Sequence, residues 1–426
     1  MNYQALKGMK DVLPSESYTW QYAEDKIKEA CKMHGFLEVR TPLLESSELF
    51  LRGVGKTTDI VQKEMYTFMD KGERYVTLKP EGTASVVRMF IEHKLYNEAQ
   101  PTKMYYLSTP IFRYERPQAG RLREHHQFGV EIFGGALPSS DAECIMLALQ
   151  IFETLGIHNL CVNINSIGCP ECRPNYNEAL KEYLNNNLDS LCETCNTRFE
   201  TNPLRILDCK EENCKKICQN APKITDYLCH DCNSHFLGLQ TILTEMKTNF
   251  KINPYIVRGL DYYTKTVFEI VSNDIGAQDA LCGGGRYDGL VKELGGPDMP
   301  AVGFGMGIER LLLLLSNKGI ILPSDETTDV YIATIGEKAA AIGIKAAFDL
   351  RYYNIATEFD HIGRSIKAQM KYADKLGAKL VVIIGDDEIE KGVVKFKNMT
   401  TGMDSLASID DISNTVRNML EDEEEF

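Results

Sequence analysis

From Ile111 to Gly134 the chain reads IFRYERPQAGRLREHHQFGVEIFG, two strand-forming runs joined by a polar, basic loop. Strand side chains alternate between faces, so His126, Phe128, Val130 and Ile132 point one way while Gln127, Gly129 and Glu131 point the other. One face therefore carries an amide and a carboxylate with a bare glycine between them, which leaves room for a small polar ligand against the backbone. On the first strand Ile111, Arg113 and Glu115 share a face. A guanidinium fixed on a sheet is suited to holding a phosphate through paired hydrogen bonds.

The rest of the chain has to supply what surrounds such a site. At 426 residues it is too long for one ordinary core, so two or three domains are expected. No apolar run approaches the roughly 20 residues of a bilayer span, since Leu311 to Leu315 is short and follows Arg310. Met1 to Lys10 shows no basic-then-apolar leader, so no membrane and a cytoplasmic location are expected. A helix is expected from about Ser17 to His34, ended by Gly35, followed by a strand FLEVRT (Phe36 to Thr41) stopped by Pro42. Strands follow at Met65 to Met69 and Arg74 to Leu78, then a helix from about Gly82 to Leu95, with Glu81, Gly82 and Thr83 at its first turn. A helix from about Ser140 to Leu155 and a strand from Leu160 to Ser166 come next.

The text then turns polar, helix-prone and cysteine-rich until about Asn253. Of 13 cysteines, nine lie between Cys169 and Cys232, with C-x-x-C pairs at Cys169/Cys172, Cys192/Cys195 and Cys229/Cys232. Two such pairs complete a tetrahedral zinc site, and Cys209, Cys214 and Cys218 offer further ligands. A structural Zn²⁺ and free thiols in a small core both fit this pattern. Polar residues from Pro323 to Thr328 suggest a linker. Beyond them, VYIATI (330–335), NIATEF (354–359) and KLVVIIG (379–385) alternate with helical text, which predicts a separate α/β domain on mostly parallel strands. By its pattern that domain also resembles small nucleotide-binding or response-regulator-like domains. The acidic tail from Glu421 to Phe426 contributes to a net charge of −14.

The segment from Phe112 to Gly134 resembles the second signature motif of class II aminoacyl-tRNA synthetases, in wording close to the histidyl-tRNA synthetase form. KGMKDVLP (Lys7 to Pro14), RTPLLESSELFLR (Arg40 to Arg52), LKPEGTASVVR (Leu78 to Arg88), VRGLDYYTKTVFEI (Val257 to Ile270) and AVGFGMGIERLL (Ala301 to Leu312) agree in order and spacing. The resemblance implies an α+β fold: an antiparallel class II sheet flanked by helices (1–165 and 253–325), a helical Cys-rich insertion (166–252) and a C-terminal α/β anticodon-binding domain (328–426). The first helix and strand then belong to a homodimer interface. The insertion is either a clamp over the acceptor stem or a passive decoration, and the family does not generally require a metal there.

The implied activity is ATP-dependent ligation. L-histidine is activated to histidyl-adenylate with release of pyrophosphate, then transferred to the 3′ end of tRNA(His). By resemblance Arg113 grips the α-phosphate and the substrate carboxylate, Arg310 the γ-phosphate, and Arg258 sits opposite Arg113. Mg²⁺ on the triphosphate supplies the remaining positive charge. Gly303, Gly305 and Gly307 recur every second residue and would bare a strand face for the adenine ring, with Glu115 near its amino group or a metal, and Arg121 completes the ATP contacts. Glu131 and Tyr263 would satisfy the two imidazole nitrogens, with Tyr262 also among the histidine-binding residues; on a regular strand Tyr262 would face the other side, so that one of the pair would serve packing. Glu81, Gly82, Thr83 and Gln127 would hold the α-amino group. Arg286 and Tyr287, in GGGRYDGL, are expected to reach the pocket from a close-approach loop. Arg116, Gln118 and Arg123, with Arg121, form a local basic patch for the acceptor end of tRNA, which in this family carries an extra 5′ guanosine. Lys79 stands where arginine is usual, and His125 where an aromatic residue often precedes His126. The rivals are the synthetase-like regulatory subunit of ATP phosphoribosyltransferase, which lacks the RGLDYY block and the C-terminal domain, and an RNA-sensing regulator, which tolerates loss of the arginines.

Overall fold

The computed structural model describes residues 3–55, 58–118, 120–272, 280–323 and 328–424. The expected linker therefore lies largely outside the described residues, at 324–327, as do the last two residues of the acidic tail. Contacts divide the chain into two units, Met1–Leu322 and Pro323–Phe426.

In the first unit α1 (Pro14–Met33) starts earlier than Ser17 because proline is tolerated in a first turn, where its missing N–H has no partner to lose. It buries Ala23, Ile27, Ala30 and Cys31, one stripe at helical spacing, and Gly35 at φ +71° turns the chain out of it. The strand expected over residues 36–41 shrinks to β1 (Leu37–Glu38). A small sheet follows: β2 (Leu44–Ser46), α2 (Ser47–Gly53), β3 (Tyr66–Met69) and β4 (Tyr75–Leu78), in the order β2-β4-β3. Then come α3 (Thr83–Glu92), β5 (Thr102–Phe112), β6 (Glu124–Phe133), α4 (Pro138–Thr154) and β7 (Leu160–Ser166). The cysteine-rich stretch folds as α5 (Arg173–Asn185), α6 (Glu193–Thr201), α7 (Glu212–Cys218) and α8 (His230–Glu245). The chain returns through β8 (Phe250–Ile252), β9 (Thr264–Ser272), β10 (Cys282–Arg286), α9 (Leu290–Glu293), β11 (Ala301–Gly307) and α10 (Ile308–Asn317).

Among the described residues these strands make one eight-stranded sheet, ordered β1-β5-β6-β11-β10-β9-β7-β8. It is antiparallel except at its two edges, where β1 runs parallel to β5 and β8 to β7. One face is the core. Phe128, Val130, Ile132, Phe268, Ile270, Phe304 and Met306 are buried there against α1, α4, α8 and α10. Each such side chain stabilises the fold by about 1.5–3 kcal/mol when fully buried.

Arg286 belongs to this face, contrary to the sequence expectation. Its glycine-rich segment is strand β10 and not a loop, so alternation puts Arg286 beside Gly284 on the core side. The guanidinium is fully buried, with Nε donating to Asp141 of α4 at 2.8 Å and Nη2 to the Leu137 carbonyl at 2.8 Å. His235 of α8 lies 3.2 Å from the same carboxylate. No helix among the described residues is long and apolar enough to cross a membrane.

The second unit runs β12 (Val330–Thr334), α11 (Glu337–Tyr352), β13 (Thr357–Phe359), α12 (Ile366–Lys375), β14 (Leu380–Ile384), α13 (Asp386–Lys391), β15 (Val393–Asn398), β16 (Asp404–Ser408) and α14 (Ile412–Glu424). Its sheet order is β13-β12-β14-β15-β16. The pairings of β12 with β13 and β14 are parallel, but those of β15 with β14 and β16 are antiparallel, so the sheet is mixed and not mostly parallel. The hairpin arises because the Asn398 carboxamide accepts the amides of Thr400 and Thr401 and closes a turn without a crossover helix.

Candidate active site

Opposite the core face the centre of the sheet is glycine, with a second buried cluster that includes Phe90, Phe133 and Tyr287 beside it. Register places Tyr106, Gly129, Gly305, Gly283 and Glu269 in one row across β5, β6, β11, β10 and β9, and Met104, Glu131, Gly303, Gly285 and Val267 in the next. The glycines are needed because side chains from neighbouring elements lie flat on them. A Cβ at Gly283 would come within 2.5 Å of Arg258 Nη1, and Cβ atoms at Gly129, Gly303 and Gly305 would strike Tyr106, Glu131 and Gln127. This glycine floor, three strands wide across β6, β11 and β10, lets the Tyr106, Gln127, Glu131 and Arg258 side chains pack directly on backbone and present their polar ends to a ligand above them.

Glu131 is the buried acid of this floor, 1% exposed. Tyr287 donates its hydroxyl to Oε2, while Oε1 has no hydrogen-bond partner among the described residues. Burial pushes its carboxyl up to about 8, against the pull of the Tyr287 hydroxyl. Tyr262 and Tyr263 precede β9 in a turn, so the strand alternation that would have set Tyr262 on the far side does not apply; the two ring centroids are 4.7 Å apart, and that of Tyr262 lies 5.5 Å from Tyr287, the partner of Glu131. Burial also raises the phenols of Tyr106, Tyr262, Tyr263 and Tyr287, which keeps them as protonated donors.

Glu81 caps α3, accepting the Thr83 and Ala84 amides at 2.8 Å each, and burial raises its pKa. Gly82 donates its amide to Gln127 Oε1 at 3.2 Å, which ties the helix start to β6. The expected amino-group residues thus gather around Glu131. Tyr106 and Glu269 complete the surround and were missed, although the strand alternation that selects Gln127 and Glu131 also marks Tyr106 once the register is known.

Arg258 lies over Gly283, pairs with Glu269 at 2.6 Å and stands 5.9 Å from the Tyr263 ring. Its buried Nε has no hydrogen-bond partner among the described residues. Leaving a buried donor or acceptor unpaired costs about 1–3 kcal/mol, so the orphaned Glu131 Oε1 and Arg258 Nε mark where a polar ligand belongs. Arg113 is held by its Nε on the Pro80 carbonyl at 2.7 Å, next to the Glu81 cap. Arg310 is the third residue of α10, directly after the glycine strand, and the loop approaches it closely, since a Cβ on Gly120 would lie 3.6 Å from Arg310 Cα.

The β5–β6 loop is pinned from below. Gly8, at φ +86°, accepts the Arg123 and Glu124 amides, which gives the KGMKDVLP block its place. Arg123 is engaged within the loop, its guanidinium 3.9 Å from the Tyr114 ring and its Nε on the Glu115 carbonyl. Arg116, Gln118 and Arg121 are exposed, with Gln118 and Arg121 bridged through their backbones. His125 is pushed down to about 4 by burial and by the neighbouring Arg113. Lys79 is buried, donates to Thr41 and is pushed down to about 8, chiefly by burial.

The cysteines separate into two groups away from this floor. Cys169, Cys172, Cys229 and Cys232 form one and Cys192, Cys195, Cys209 and Cys214 the other, with ligand atoms in each within 4.8 Å of one another. Two of the expected pairs, Cys169/Cys172 and Cys229/Cys232, therefore share one group, while the third stands apart from them. The Cys192/Cys195 pair is completed by Cys209 and Cys214, and Cys218 lies against the Ile206 carbonyl.

A family model described as histidyl-tRNA synthetase matches residues 8–311, and one described as anticodon binding domain matches residues 329–419. The chain is 57% identical to a protein called histidine–tRNA ligase from Caldanaerobacter subterraneus subsp. tengcongensis, over 97% of this chain and 99% of the relative. It is 54% identical to one from Clostridium botulinum over 98% and 99%. The apo crystal structure of S. aureus histidyl-tRNA synthetase superposes with a TM-score of 0.83 at 38% identity, covering 97% of this chain and 100% of that one. An ATP phosphoribosyltransferase regulatory subunit/histidyl-tRNA synthetase from Bacillus halodurans shares the fold, at 21% identity and a TM-score of 0.63, covering 90% of this chain and 98% of that one.

Proposed function

We infer the function from the premise that this chain belongs to the histidyl-tRNA synthetase family. It is an ATP-dependent ligase that activates L-histidine as histidyl-adenylate, releases pyrophosphate, and transfers the histidyl group to tRNA(His). The observation that carries the assignment of residues is the glycine floor with two unsatisfied buried atoms, Glu131 Oε1 and Arg258 Nε, on one sheet face.

In this reading the imidazole lies among Glu131, Tyr262 and Tyr263. The carboxylate accepts one ring N–H and a phenol serves the other nitrogen. Glu81, Thr83 and Gln127, gathered at the start of α3, receive the α-ammonium. The substrate carboxylate then attacks the α-phosphorus while pyrophosphate leaves in line, and Arg113 and Arg258 offset the negative charge that builds up there. Gly303, Gly305 and Gly307 support the adenine ring, with Glu115 and Arg121 near it and Arg310 on the γ-phosphate. Mg²⁺ arriving with ATP supplies further charge neutralisation at the phosphates. Arg116, Gln118 and Arg123 meet the acceptor end of tRNA, and the second unit receives the anticodon.

The working form is a homodimer. Leu37, Leu43, Leu44, Phe68, Met69 and Tyr75 are exposed on β1 and the small sheet, an apolar surface of the kind that marks a subunit interface. All thirteen cysteines are free, which suits the reducing cytoplasm where the enzyme would act. The test is histidine-dependent exchange of pyrophosphate into ATP by purified protein. Robust exchange is expected; histidine binding with no exchange would instead indicate a regulatory binding module.

A further inference from the structure

We propose that the two cysteine groups are two separate tetrathiolate zinc sites, and that together they fix the two ends of the Arg258–Lys265 segment in the active site. Four sulfurs around one zinc at about 2.3 Å lie about 3.8 Å apart along each tetrahedron edge. The observed spacings are 3.6 Å for Cys169–Cys172, 3.9 Å for Cys169–Cys229 and 3.8 Å for Cys192–Cys209. These match the tetrahedron edge, and a disulfide, with its sulfurs about 2.05 Å apart, is formed by none of these pairs. Backbone amides support the thiolates: Cys229 N–H points at Cys172 Sγ at 3.0 Å and Cys192 N–H at Cys214 Sγ at 3.3 Å.

The first site joins the starts of α5 and α8, because Cys172 precedes Arg173 and Cys229 precedes His230. From that knuckle, Arg173 Nη2 donates to the Tyr263 carbonyl, and the Gly168 carbonyl accepts Lys265 N–H at 2.9 Å and the Thr264 hydroxyl at 3.1 Å. The second site closes a loop around α6 and the turn after it. From that loop Arg205 Nη1 donates to the Arg258 carbonyl at 2.8 Å, Asn202 Nδ2 to Asp261 Oδ1 at 3.0 Å, and Arg198 to Asp59 at 2.9 Å. Site one thus grips the end of the segment that carries Tyr263, and site two the end that carries Arg258. Cys218 takes no part.

Arg173 and Arg205 are positioning residues in this scheme. Their effects on catalysis rest on the histidine-activation reading, whereas the metal content does not. Elemental analysis of the full-length protein, purified without added metal or chelator, should give two zinc per chain, one for each thiolate set. Cys232→Ser and Cys209→Ser should each lose one, and cobalt exchange should produce thiolate-to-cobalt charge-transfer bands of matching stoichiometry. One zinc or none in the parent protein overturns the sites, whatever the variants do. Arg173→Met should keep both metals and raise the histidine KM about tenfold, the effect of losing one hydrogen bond that places a binding residue. Arg205→Met should keep both metals and lower kcat of exchange by a similar factor with little change in the histidine KM. Parental kinetics in both variants would overturn the coupling. Two bound zinc in a parent protein that catalyses no exchange would count against the histidine-activation reading and remove the positioning role with it.

Discussion

Glu131 sits where burial works against its charge. Its carboxyl is held at about 8 against an ordinary 4.5, so protonation favours the folded chain; that contribution is fully present below about 4.5 and is lost as pH rises through about 8. Glu131→Gln keeps an oxygen for the Tyr287 hydroxyl but has no charge to bury. The variant should therefore gain on the parent in Tm as pH is raised from 6.5 to 9, by roughly 2–4 °C for each kcal/mol of charge burial removed. A constant difference in Tm across that range would contradict the burial argument. Above about pH 8, where the Glu131 carboxyl is ionised, the same variant offers imidazole a neutral acceptor in place of a carboxylate, and hydrogen bonds to charged groups are worth about 1.5–3 kcal/mol, so the histidine KM measured there should rise about 10- to 100-fold. Gln118 makes the opposite case, since it is exposed and among the described residues only its backbone is engaged, with Arg121. Gln118→Ala should slow transfer to tRNA while sparing adenylate formation, and single-turnover transfer compared with pyrophosphate exchange would expose an equal loss in both.

At the level of the element, β11 shows why its glycines are not interchangeable. A Cβ on Gly305 would meet only the flexible amide end of Gln127, whereas one on Gly303 would strike both the Glu131 carboxylate and the Val130 carbonyl, a backbone atom that cannot swing away. Gly303→Ala should cost about 1–3 kcal/mol of stability and abolish exchange, while Gly305→Ala should fold normally and lose substrate affinity. Urea unfolding of the two variants separates them, and equal stability would show that the floor yields. Much of this strand chemistry was legible beforehand. Alternation alone separated Phe128, Val130 and Ile132 from Gln127 and Glu131, and the first set is the one buried in the core, because a strand with one buried face has no freedom in its period. Arg286 was misplaced because three successive glycines resemble a loop, and only their pairing with β9 and β11 reveals a strand. Its ion pair with Asp141 is fully buried, so Arg286→Leu should destabilise by about 3–5 kcal/mol by stranding that carboxylate.

For the whole molecule, legibility fell with sequence separation. C-x-x-C spacing exposes local pairs, but which pairs meet is decided by how α5 to α8 fold, and so the partition into two four-cysteine groups needed coordinates. The second unit was read from its first three strands, in which β12 runs parallel to β13 on one side and β14 on the other, and the hairpin that makes its sheet mixed lies beyond them. That unit has its own buried clusters, around Ile332, Leu350, Val382 and Phe396 on one side of its sheet and Tyr331, Ala373 and Val381 on the other. The first unit, ending at Leu322, holds every residue assigned above to histidine and ATP. A chain cut after Leu322 should therefore keep histidine-dependent pyrophosphate exchange within about threefold of the parent, since no substrate contact and no part of either buried core in the second unit is involved in that step. Aminoacylation should fall much further, by about 100-fold or more in kcat/KM for tRNA, because a lost recognition surface worth a few kcal/mol acts through tRNA binding alone. Parallel measurement of both reactions on the same preparation decides the matter: loss of exchange together with a cooperative unfolding transition still present would mean that the second unit acts on the catalytic floor and not only on the tRNA.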